Sequence, residues 1–244
     1  MRKFGLIGYP LEHSFSKKFF EEKFLRDKLI GHTYHHFPLP FIESFLPLLG
    51  ADPELKGLNV TNPYKEAVME FLDEVDPNAK AIGAVNCIKI SGNHLKGFNT
   101  DAPAFERSLK SFLTTTPEQT FVLGTGGSAK AVCFVLKNMG IPYLRVSREP
   151  GEHRITYSEI LKHLKGENLF INTTPIGMFP AVDNAPDIPY SKLSEKDFLF
   201  DLIYNPEETE FLKRGKARGA RTKNGLEMLH LQAEKSWEIW NKNE

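Results

Sequence analysis

The chain has 244 residues, which is enough for one large domain or two of ordinary size. Hydrophobic residues make up 41% of it and charged residues 25%, a composition typical of globular proteins that argues against disorder. The formal net charge is zero, so we expect neither nucleic acid nor an anionic membrane as a partner.

The first hundred residues alternate between strand and helix patterns. Strands are predicted over residues 4–8, 34–37 and 57–60, and helices over residues 16–28 and 41–49. Pro63 fits the first turn of a further helix that continues to Leu72. Residues 85–98 have the pattern of a hairpin around Gly92-Asn93. This order predicts a largely parallel α/β sheet with a local antiparallel edge.

A second α/β unit begins after the soft segment at residues 114–117. Its strands are predicted over residues 121–123, 143–146, 169–172 and 198–202 and in the residues before Thr222. A helix is predicted from Ser128 to Met139, and a last helix begins at Leu226 with an apolar stripe that reaches Trp240. We therefore predict one domain of residues 1–101 plus 225–244 and a second of residues 102–224.

A glycine-rich turn lies between a predicted strand and a predicted helix of the second domain. Its glycines are Gly124, Gly126 and Gly127, and their spacing departs from a strict GxGxxG pattern. The strand before and the helix after are nevertheless the usual setting of a dinucleotide site. Glycines there let the backbone approach a pyrophosphate at the positive helix N-terminus. A tight turn in some other α/β protein is the alternative.

The residues after Val146 bear on the choice of nicotinamide cofactor. An NAD site usually has an acidic residue there, which holds the ribose hydroxyls, whereas this chain has Ser147-Arg148-Glu149. A serine can donate to a 2′-phosphate, and an arginine can pair with it through its planar guanidinium group. NADP is therefore expected. Glu149 complicates this choice, and a solvated Arg–Glu pair is the alternative.

A second set of polar side chains lies at the ends of predicted strands of the first domain, where α/β sheets bind ligands. Its members are Asn59, Thr61, Lys65, Asn86 and Asp101. Lys65 is a candidate general acid or base toward an alcohol or carbonyl oxygen, and Asp101 supplies the opposite charge. Ser14 and Ser16 could bind a carboxylate. A surface lysine, a helix N-cap and turn residues are the structural alternatives.

These motifs closely resemble those of the shikimate dehydrogenase family over nearly the whole chain. The matching segments, in chain order, are Gly8-Tyr9-Pro10, His13-Ser14-Phe15-Ser16, Asn59-Val60-Thr61 with Pro63 and Lys65, residues 82–86, Asn99-Thr100-Asp101, residues 124–127, 172–178, 201–206 and 224–229, and Gln232-Ala233. The resemblance implies an α/β protein with two α/β domains. One is an N-terminal substrate-binding domain with a mostly parallel sheet, the other is a Rossmann-like NADP-binding domain, and a cleft lies between them.

The resemblance also implies the activity and the site residues. The expected reaction is the reversible NADPH-dependent reduction of 3-dehydroshikimate to shikimate, on the pathway to chorismate and the aromatic amino acids. Lys65 and Asp101 would be the catalytic pair. The implied substrate-binding residues are Ser14 and Ser16 for the carboxylate and Asn59, Thr61, Asn86, Asp101 and Gln232 for the ring hydroxyls, with Tyr204 nearby. The implied cofactor-binding residues are Gly124, Gly126, Gly127, Ser128, Ala129, Ser147, Arg148, Thr173, Thr174, Leu202, Gly225 and Met228.

The chain departs from the family pattern after the second cofactor strand, where the usual Asn-Arg-Thr is Ser147-Arg148-Glu149. The nearest alternative is a quinate/shikimate dehydrogenase that uses NAD, for which an acidic residue would stand in place of Ser147. A binding protein on the same scaffold would need neither Lys65 nor Asp101. A methyltransferase-like glycine loop would leave the hydroxyl-binding set unexplained.

The remaining features concern location and partners. Cys87 and Cys133 lie in apolar stretches and match no metal or CxxC spacing, so we expect buried free thiols and a cytoplasmic protein. The sequence shows no signal-peptide pattern and no segment of membrane-spanning length. The eight histidines form no metal-binding pattern, so no metal is expected. The protein is expected to be a monomer or homodimer.

Overall fold

The structure is a computed structural model that describes residues 2–11 and 14–242 of the chain. It divides into two compact units, Met1–Asp101 with His230–Glu244 and Ala102–Leu229, which we call the first and second unit. Each unit is built on one six-stranded sheet. The predicted α/β class is therefore confirmed. His13, which belongs to a motif that the sequence analysis singled out, lies outside the described residues.

The described residues of the first unit form six strands, three α-helices and part of a fourth. In chain order they are β1 (Arg2–Gly8), α1 (Ser16–Arg26), β2 (His32–Pro38), α2 (Phe45–Ala51), β3 (Leu55–Val60), β4 (Glu74–Val75), α3 (Pro77–Ile82), β5 (Cys87–Ser91) and β6 (His94–Phe98). Short 3₁₀ helices cover Ile42–Ser44 and Ala67–Phe71. The helix predicted over residues 16–28 ends at Arg26, and Lys28 has a positive φ of 52°, which an α-helix does not accept.

The sheet of the first unit has the strand order β2-β1-β3-β5-β6-β4. Only β5 runs antiparallel to its neighbours, β3 on one side and β6 on the other. The prediction of an antiparallel edge was therefore wrong in its position. The two-residue strand β4 pairs in parallel with the outer side of β6, which places the hairpin inside the sheet.

The α-helix predicted from Pro63 to Leu72 is also wrong. Residues 62–66 form turns, and the 3₁₀ helix over Ala67–Phe71 follows them. The carbonyl oxygen of Lys65 accepts a 2.7 Å hydrogen bond from the backbone N–H of Val85, so it is engaged outside the segment. The N–H of Met69 bonds instead to the carbonyl of Glu66, which is the tighter 3₁₀ pattern.

The second unit contains the other six strands. Its elements are α4 (Asp101–Phe112), β7 (Gln119–Leu123), α5 (Gly127–Asn138), β8 (Tyr143–Ser147), β9 (Arg154–Thr156), β10 (Asn168–Asn172), β11 (Phe198–Asp201), α6 (Glu210–Lys216), β12 (Arg221–Lys223) and the start of α7 (Leu226–Asn241). The strand order is β12-β11-β10-β7-β8-β9 and every pairing is parallel. This is the order of a Rossmann fold, in which the chain reverses its direction of travel at the first strand, here β7.

Helix α7 packs its C-terminal part on the sheet of the first unit. The Trp240 ring stacks on Phe4 with 4.8 Å between ring centroids, and its Nε1 donates a 2.9 Å hydrogen bond to the carbonyl of Ile88. A Cβ at Gly57 would collide with the Trp240 ring, so glycine is required at that place in β3. Within residues 2–11 and 14–242, no helix combines the length and the hydrophobicity that a membrane crossing needs.

Candidate active site

One edge of the sheet in the first unit collects most of the polar residues predicted to bind substrate. The parallel strands β1, β3 and β6 end at this edge, and the antiparallel strand β5 begins there. Asn59 lies near the end of β3, Thr61 is the first residue after that strand, and Asn86 immediately precedes β5. Asp101 follows β6 at the start of α4. The strand directions therefore bring together residues that are far apart in sequence.

Lys65 and Asp101 form an ion pair at this edge. The Nζ atom of Lys65 lies 2.7 Å from Oδ2 of Asp101, and the two side chains are 12% and 9% exposed. Asp101 occupies the first turn of α4, where the positive end of the helix dipole favours a carboxylate. An ammonium group held in this way can give a proton to an oxygen that gains negative charge beside it. The helical turn expected around Lys65 is wrong, because residues 62–66 form turns. The catalytic role of the pair stays a prediction.

Asn59 is held from inside the protein. Its Oδ1 accepts a 2.9 Å hydrogen bond from the hydroxyl of Tyr34. Its Nδ2 donates to Oγ of Ser236 at 2.9 Å and to the carbonyl of Asn86 at 3.3 Å. These two acceptors use both amide hydrogens, so Asn59 has only acceptor capacity left for a ligand. Its contact with substrate stays a prediction.

A second group of hydrogen bonds fixes Asn86. Its Oδ1 accepts from the backbone N–H of Thr100 at 2.6 Å, and its Nδ2 donates to the hydroxyl of Thr100 at 3.0 Å. The Thr100 hydroxyl also lies 3.3 Å from that of Ser236, which donates to the carbonyl of Gln232 at 2.9 Å. The chain beside Asp101 and the helix that carries Gln232 are thus joined by one buried polar network.

Sequence reasoning assigned no function to Tyr34, Thr100 or Ser236. Ser236 had a recognisable signal, because it lies four residues after Gln232 and therefore on the same face of α7. Tyr34 is fully buried, and burial raises the pKa of its phenol well above the ordinary value, while a hydrogen bond with Ser16 opposes this shift. The phenol is therefore a neutral donor that links Ser16 to Asn59.

Ser14 and Ser16 lie at the start of α1. The Oγ atom of Ser14 accepts a long hydrogen bond of 3.4 Å from the backbone N–H of Ser16. This contact is compatible with the alternative of local capping, and it leaves the hydroxyl hydrogen of Ser14 free of that bond. Both residues are half-buried. Their role in binding a carboxylate stays a prediction.

The glycine turn of the second unit follows β7 and leads into α5. Gly124 has a φ of +115°, and a Cβ there would lie 2.6 Å from the hydroxyl oxygen of Thr173. Gly126 is the N-cap of α5, makes no side-chain cap, and has open space where a Cβ would stand. Ser128 and Ala129 follow in the first turn of the helix. A helix N-terminus with open space at its N-cap glycine suits the phosphates of a dinucleotide.

The other predicted cofactor residues lie at the same edge of this sheet, after strands β8, β10, β11 and β12. Thr173 donates through its hydroxyl to the carbonyl of Leu123 at 2.6 Å. Thr174 donates to Oδ1 of Asn172 through both its backbone N–H, at 3.0 Å, and its hydroxyl, at 2.7 Å. Gly225 donates to the carbonyl of Ile203 at 2.9 Å, and a Cβ there would collide with the carbonyl of Leu202. Met228 is buried in the first turns of α7.

The segment expected to choose between NADP and NAD follows β8. The hydroxyl of Ser147 donates to the backbone carbonyl of Glu149, so it is used to shape the turn. Arg148 and Glu149 are both exposed. Arg148 lies near Tyr157. The pKa of Tyr157 is raised above its ordinary value by burial, and the positive charge of Arg148 opposes this rise. The contact of Arg148 with a 2′-phosphate stays a prediction.

The described part of the chain contains no group of three or more His, Cys, Asp or Glu side chains arranged to hold a metal ion. Tyr204 and Gln232, which the family resemblance adds to the substrate set, are both half-buried. Tyr204 belongs to the second unit and Gln232 to the first.

Comparisons with known proteins give a consistent result. Residues 6–88 match the model of the shikimate dehydrogenase substrate binding domain. A shikimate dehydrogenase (NADP(+)) from Carboxydothermus hydrogenoformans is 38% identical over 97% of this chain and 90% of that protein. The structure of shikimate dehydrogenase 1 from Peptoclostridium difficile is 39% identical, with a TM-score of 0.87 over 100% of this chain and 93% of that one. Shikimate 5-dehydrogenase from Thermus thermophilus, solved with NADP(H) and shikimate, is 30% identical, with a TM-score of 0.86 over 99% and 94% of the two chains.

Proposed function

Because this chain belongs to the shikimate dehydrogenase family, we propose that it catalyses the reversible NADP-dependent interconversion of 3-dehydroshikimate and shikimate. It is then an oxidoreductase of aromatic amino acid biosynthesis. The observation that carries this proposal within the chain is the 2.7 Å ion pair between Lys65 and Asp101 at the strand ends of the first unit. A binding protein would have no use for an acid–base pair in such a place.

We assign substrate binding to the first domain, residues 1–101 plus 225–244, and NADP binding to residues 102–224. Shikimate carries one carboxylate and three hydroxyl groups on a six-membered ring. The hydroxyls of Ser14 and Ser16 provide donors for the carboxylate. Donors and acceptors for the ring hydroxyls come from Asn59, Thr61, Asn86, Asp101 and Gln232.

The second unit fits NADP by the shape of its backbone. A Cβ at Gly124 would collide with Thr173, and the uncapped N-terminus of α5 lies beside open space at Gly126. We assign the phosphates to Gly124, Gly126, Gly127, Ser128 and Ala129, and the 2′-phosphate to Arg148. Ser147 supports this contact by shaping the turn that carries Arg148, through its hydrogen bond to the Glu149 carbonyl. Thr173, Thr174 and Leu202 complete the set, together with Gly225 and Met228, which lie just beyond residue 224 but still within the second unit. When bound, NADPH supplies a hydride for the C3 carbonyl carbon of 3-dehydroshikimate.

Lys65 donates and accepts the proton in this reaction. Its Nζ–H bond breaks as a new O–H bond forms on the C3 oxygen, which would otherwise become an alkoxide. Asp101 accepts a hydrogen bond from the ammonium group and so fixes its direction, and it orients a substrate hydroxyl. In the reverse direction neutral Lys65 takes the proton from the C3 hydroxyl. Neither step needs a metal ion.

The turn after β8 distinguishes this enzyme from a quinate-oxidising enzyme that uses NAD. The residue at the tip of β8 is Ser147, not the carboxylate expected for a free ribose 2′-hydroxyl. Arg148 is exposed in the same turn and is free to face an anion. These residues support the assignment of NADP.

We propose that the enzyme is cytoplasmic, on the evidence of its two cysteines. Cys87 and Cys133 are free and buried, and burial raises the pKa of their thiols to about 12 and about 11. Unreactive free thiols suit the reducing cytoplasm. A monomer or homodimer is expected, and sedimentation of the purified protein measures which one forms.

The activity is tested by incubating the purified protein with shikimate and NADP⁺ and following NADPH by its absorbance. We expect equal amounts of NADPH and 3-dehydroshikimate, the second identified by mass spectrometry. Shikimate omitted from the mixture is the control. Absence of coupled formation of the two products, in a protein shown to be folded by circular dichroism, would contradict the proposal.

A further inference from the structure

A buried carboxyl group lies under the loops to which we assigned part of the NADP site. Asp201, the last residue of β11, is fully buried. Its Oδ1 accepts hydrogen bonds of 3.0 Å from Nδ2 of Asn172 and from the backbone N–H of Ile203. Its Oδ2 accepts a 2.6 Å hydrogen bond from the hydroxyl of Thr209. One side chain therefore joins the ends of β10 and β11 to the N-cap of α6.

These partners control two loops. Asn172 accepts through Oδ1 from both the N–H and the hydroxyl of Thr174, and its Nδ2 also donates to the carbonyl of Ile176 at 3.3 Å. The loop after β10, residues 173–178, is thereby tied to Asp201. The loop after β11, residues 202–209, is tied at both ends, through Ile203 and Thr209. Thr173, Thr174 and Leu202 of the proposed NADP site lie on these loops.

All three direct partners of the Asp201 carboxyl donate to it, which is the pattern that suits an ionised carboxylate. A proton on Oδ2 would point at the hydroxyl of Thr209, which also accepts from the backbone N–H of Leu212 at 3.4 Å. Thr209 would then have to turn its own hydrogen away from Asp201. Burial raises the pKa of Asp201 to about 6, against the opposing effect of these three hydrogen bonds. Protonation of this group therefore falls in an accessible pH range.

Other titratable and charged groups lie near Asp201. The charge of Asp201 acts on Tyr190, whose pKa is raised mainly by burial, and Arg214, Glu210 and Asp187 act on the same ring. The guanidinium group of Arg214 is paired with Glu210 at 2.9 Å. Tyr190 stays neutral and Arg214 stays charged between pH 5 and pH 8.

The same two strands carry a matched pair at their opposite ends. Nδ2 of Asn168, the first residue of β10, donates to Oδ1 of Asp197 at 2.9 Å, just before β11 begins. Asp197 is also buried, and its other oxygen accepts from the N–H and hydroxyl of Ser194. The two Asn–Asp bonds have the same chemistry. Only the pair at the C-terminal ends is connected to the proposed NADP loops.

We propose that Asp201 is a positioning residue for NADP, and that its ionised form holds the loops after β10 and β11 in the arrangement that binds the cofactor. This inference rests on the proposed NADP site. Asp201 lies beneath these loops and acts on NADP through them. Its ionisation therefore has a measurable effect on the affinity for NADP. That effect depends on pH.

The test is calorimetric titration of the ligand-free protein with NADP⁺ at several values between pH 5 and pH 8. The wild type is compared with Asp201→Asn, which places an amide where the protonated carboxyl would be, and with the matched control Asp197→Asn. The 2′-phosphate of NADP⁺ titrates in the same range, so the informative quantity is the ratio of the variant Kd to the wild-type Kd at each pH. Thr209→Val, which removes the donor to Oδ2, serves as a second variant.

We expect the Asp201→Asn ratio to be about 10 at pH 8, to fall toward 1 at pH 5, and to have its midpoint near pH 6. Thr209→Val should also weaken binding at pH 8, whereas the Asp197→Asn ratio should stay near 1 throughout. A flat ratio for Asp201→Asn, or the same profile in Asp197→Asn, would overturn the inference. If Asp201→Asn does not fold, unchanged affinity in Thr209→Val overturns it. A folded wild type that binds no NADP⁺ at any pH would instead overturn the proposed function, on which the inference depends.

Discussion

The ammonium group of Lys65 donates a 2.7 Å hydrogen bond to Asp101, a residue 36 positions away in the sequence. The two meet because β6 returns to the edge at which β3 ends, and because Lys65 lies in the turns that follow β3. A paired charge with little exposed surface keeps its direction, which a proton donor requires. The pair is therefore the centre of the proposed chemistry.

Replacing Lys65 with methionine should lower kcat by about 10²–10⁴-fold, because the proton donor is lost while most of the side-chain volume remains. The Kd for shikimate, measured by calorimetry, should change by less than about tenfold. Lys3→Met is the matched control, since Lys3 forms a 3.2 Å ion pair with Asp52 at the opposite end of the same sheet. An unchanged kcat in Lys65→Met would remove this residue from the mechanism.

Replacing Arg148 with alanine should raise the KM for NADP⁺ by about ten- to a hundredfold, because a charge-assisted contact with the 2′-phosphate is lost. The KM for NAD⁺, which has no such phosphate, should change much less. Initial rates with each cofactor measure the two effects. Arg218→Ala, a change at another exposed arginine of the second unit, is the control. Equal increases for both cofactors would show that Arg148 does not meet the 2′-phosphate.

Replacing Ser236 with alanine should raise the KM for shikimate more than it lowers kcat. The change removes the acceptor of one Asn59 amide hydrogen and the neighbour of Thr100, so the edge that we assign to the substrate loses its internal support. The unpaired buried amide should also cost about 1–3 kcal/mol of stability.

The control for this prediction is Ser108→Ala in the second unit. Ser108 is equally buried, and its hydroxyl donates to Glu227 at 2.8 Å. That variant should lose stability without changing the KM for shikimate. If both variants change only stability, the network around Asn59 is structural and does not position the substrate residues.

The stability of the ligand-free protein should depend on pH through Asp201. This carboxyl has a pKa of about 6 when folded and an ordinary value of 3.8. Between these values the folded state holds a proton that the unfolded state has released, so the free energy of unfolding falls as pH rises through this window. The contribution is about 3 kcal/mol, fully present below pH 3.8 and lost above pH 6.

Asp201→Asn carries no such group, so its stability relative to the wild type should rise by about 3 kcal/mol between pH 4 and pH 7. Urea unfolding of both proteins at each pH measures this difference, and the comparison cancels the titration of all other carboxyl groups. Parallel stability curves for the two proteins would show that Asp201 titrates normally in the folded state.

Much of the fold follows from local patterns in the sequence. Alternating strand and helix patterns predict two α/β units, and the helix after Gly127 is recognisable because its apolar residues repeat at helical spacing. The errors in the predicted secondary structure arise where a hydrogen-bond partner far away in the sequence determines the local conformation. The two residues of β4 are too few to form a pattern, yet their pairing with β6 sets the edge of the sheet. The carbonyl oxygen of Lys65 accepts a hydrogen bond from the N–H of Val85, and no local sequence pattern predicts this bond.

The candidate site also contains residues that the sequence predicts and residues that it does not. Lys65 and Asp101 could be predicted because their residue types and their positions after strands suggest proton transfer. The internal partners of Asn59 could not, because Tyr34 comes from β2 and Ser236 from α7, which neither spacing nor composition connects to β3. Asp201 lies in a segment that matched the family, but only the folded chain shows that it joins two loops.

The identity of this chain as an NADP-dependent shikimate dehydrogenase is tested by initial rates for shikimate and quinate, each with NADP⁺ and NAD⁺, at one pH and ionic strength. We expect the highest kcat/KM for shikimate with NADP⁺, and a loss of at least about tenfold when quinate replaces shikimate or NAD⁺ replaces NADP⁺. A higher kcat/KM for quinate, or for NAD⁺ with shikimate, would contradict it.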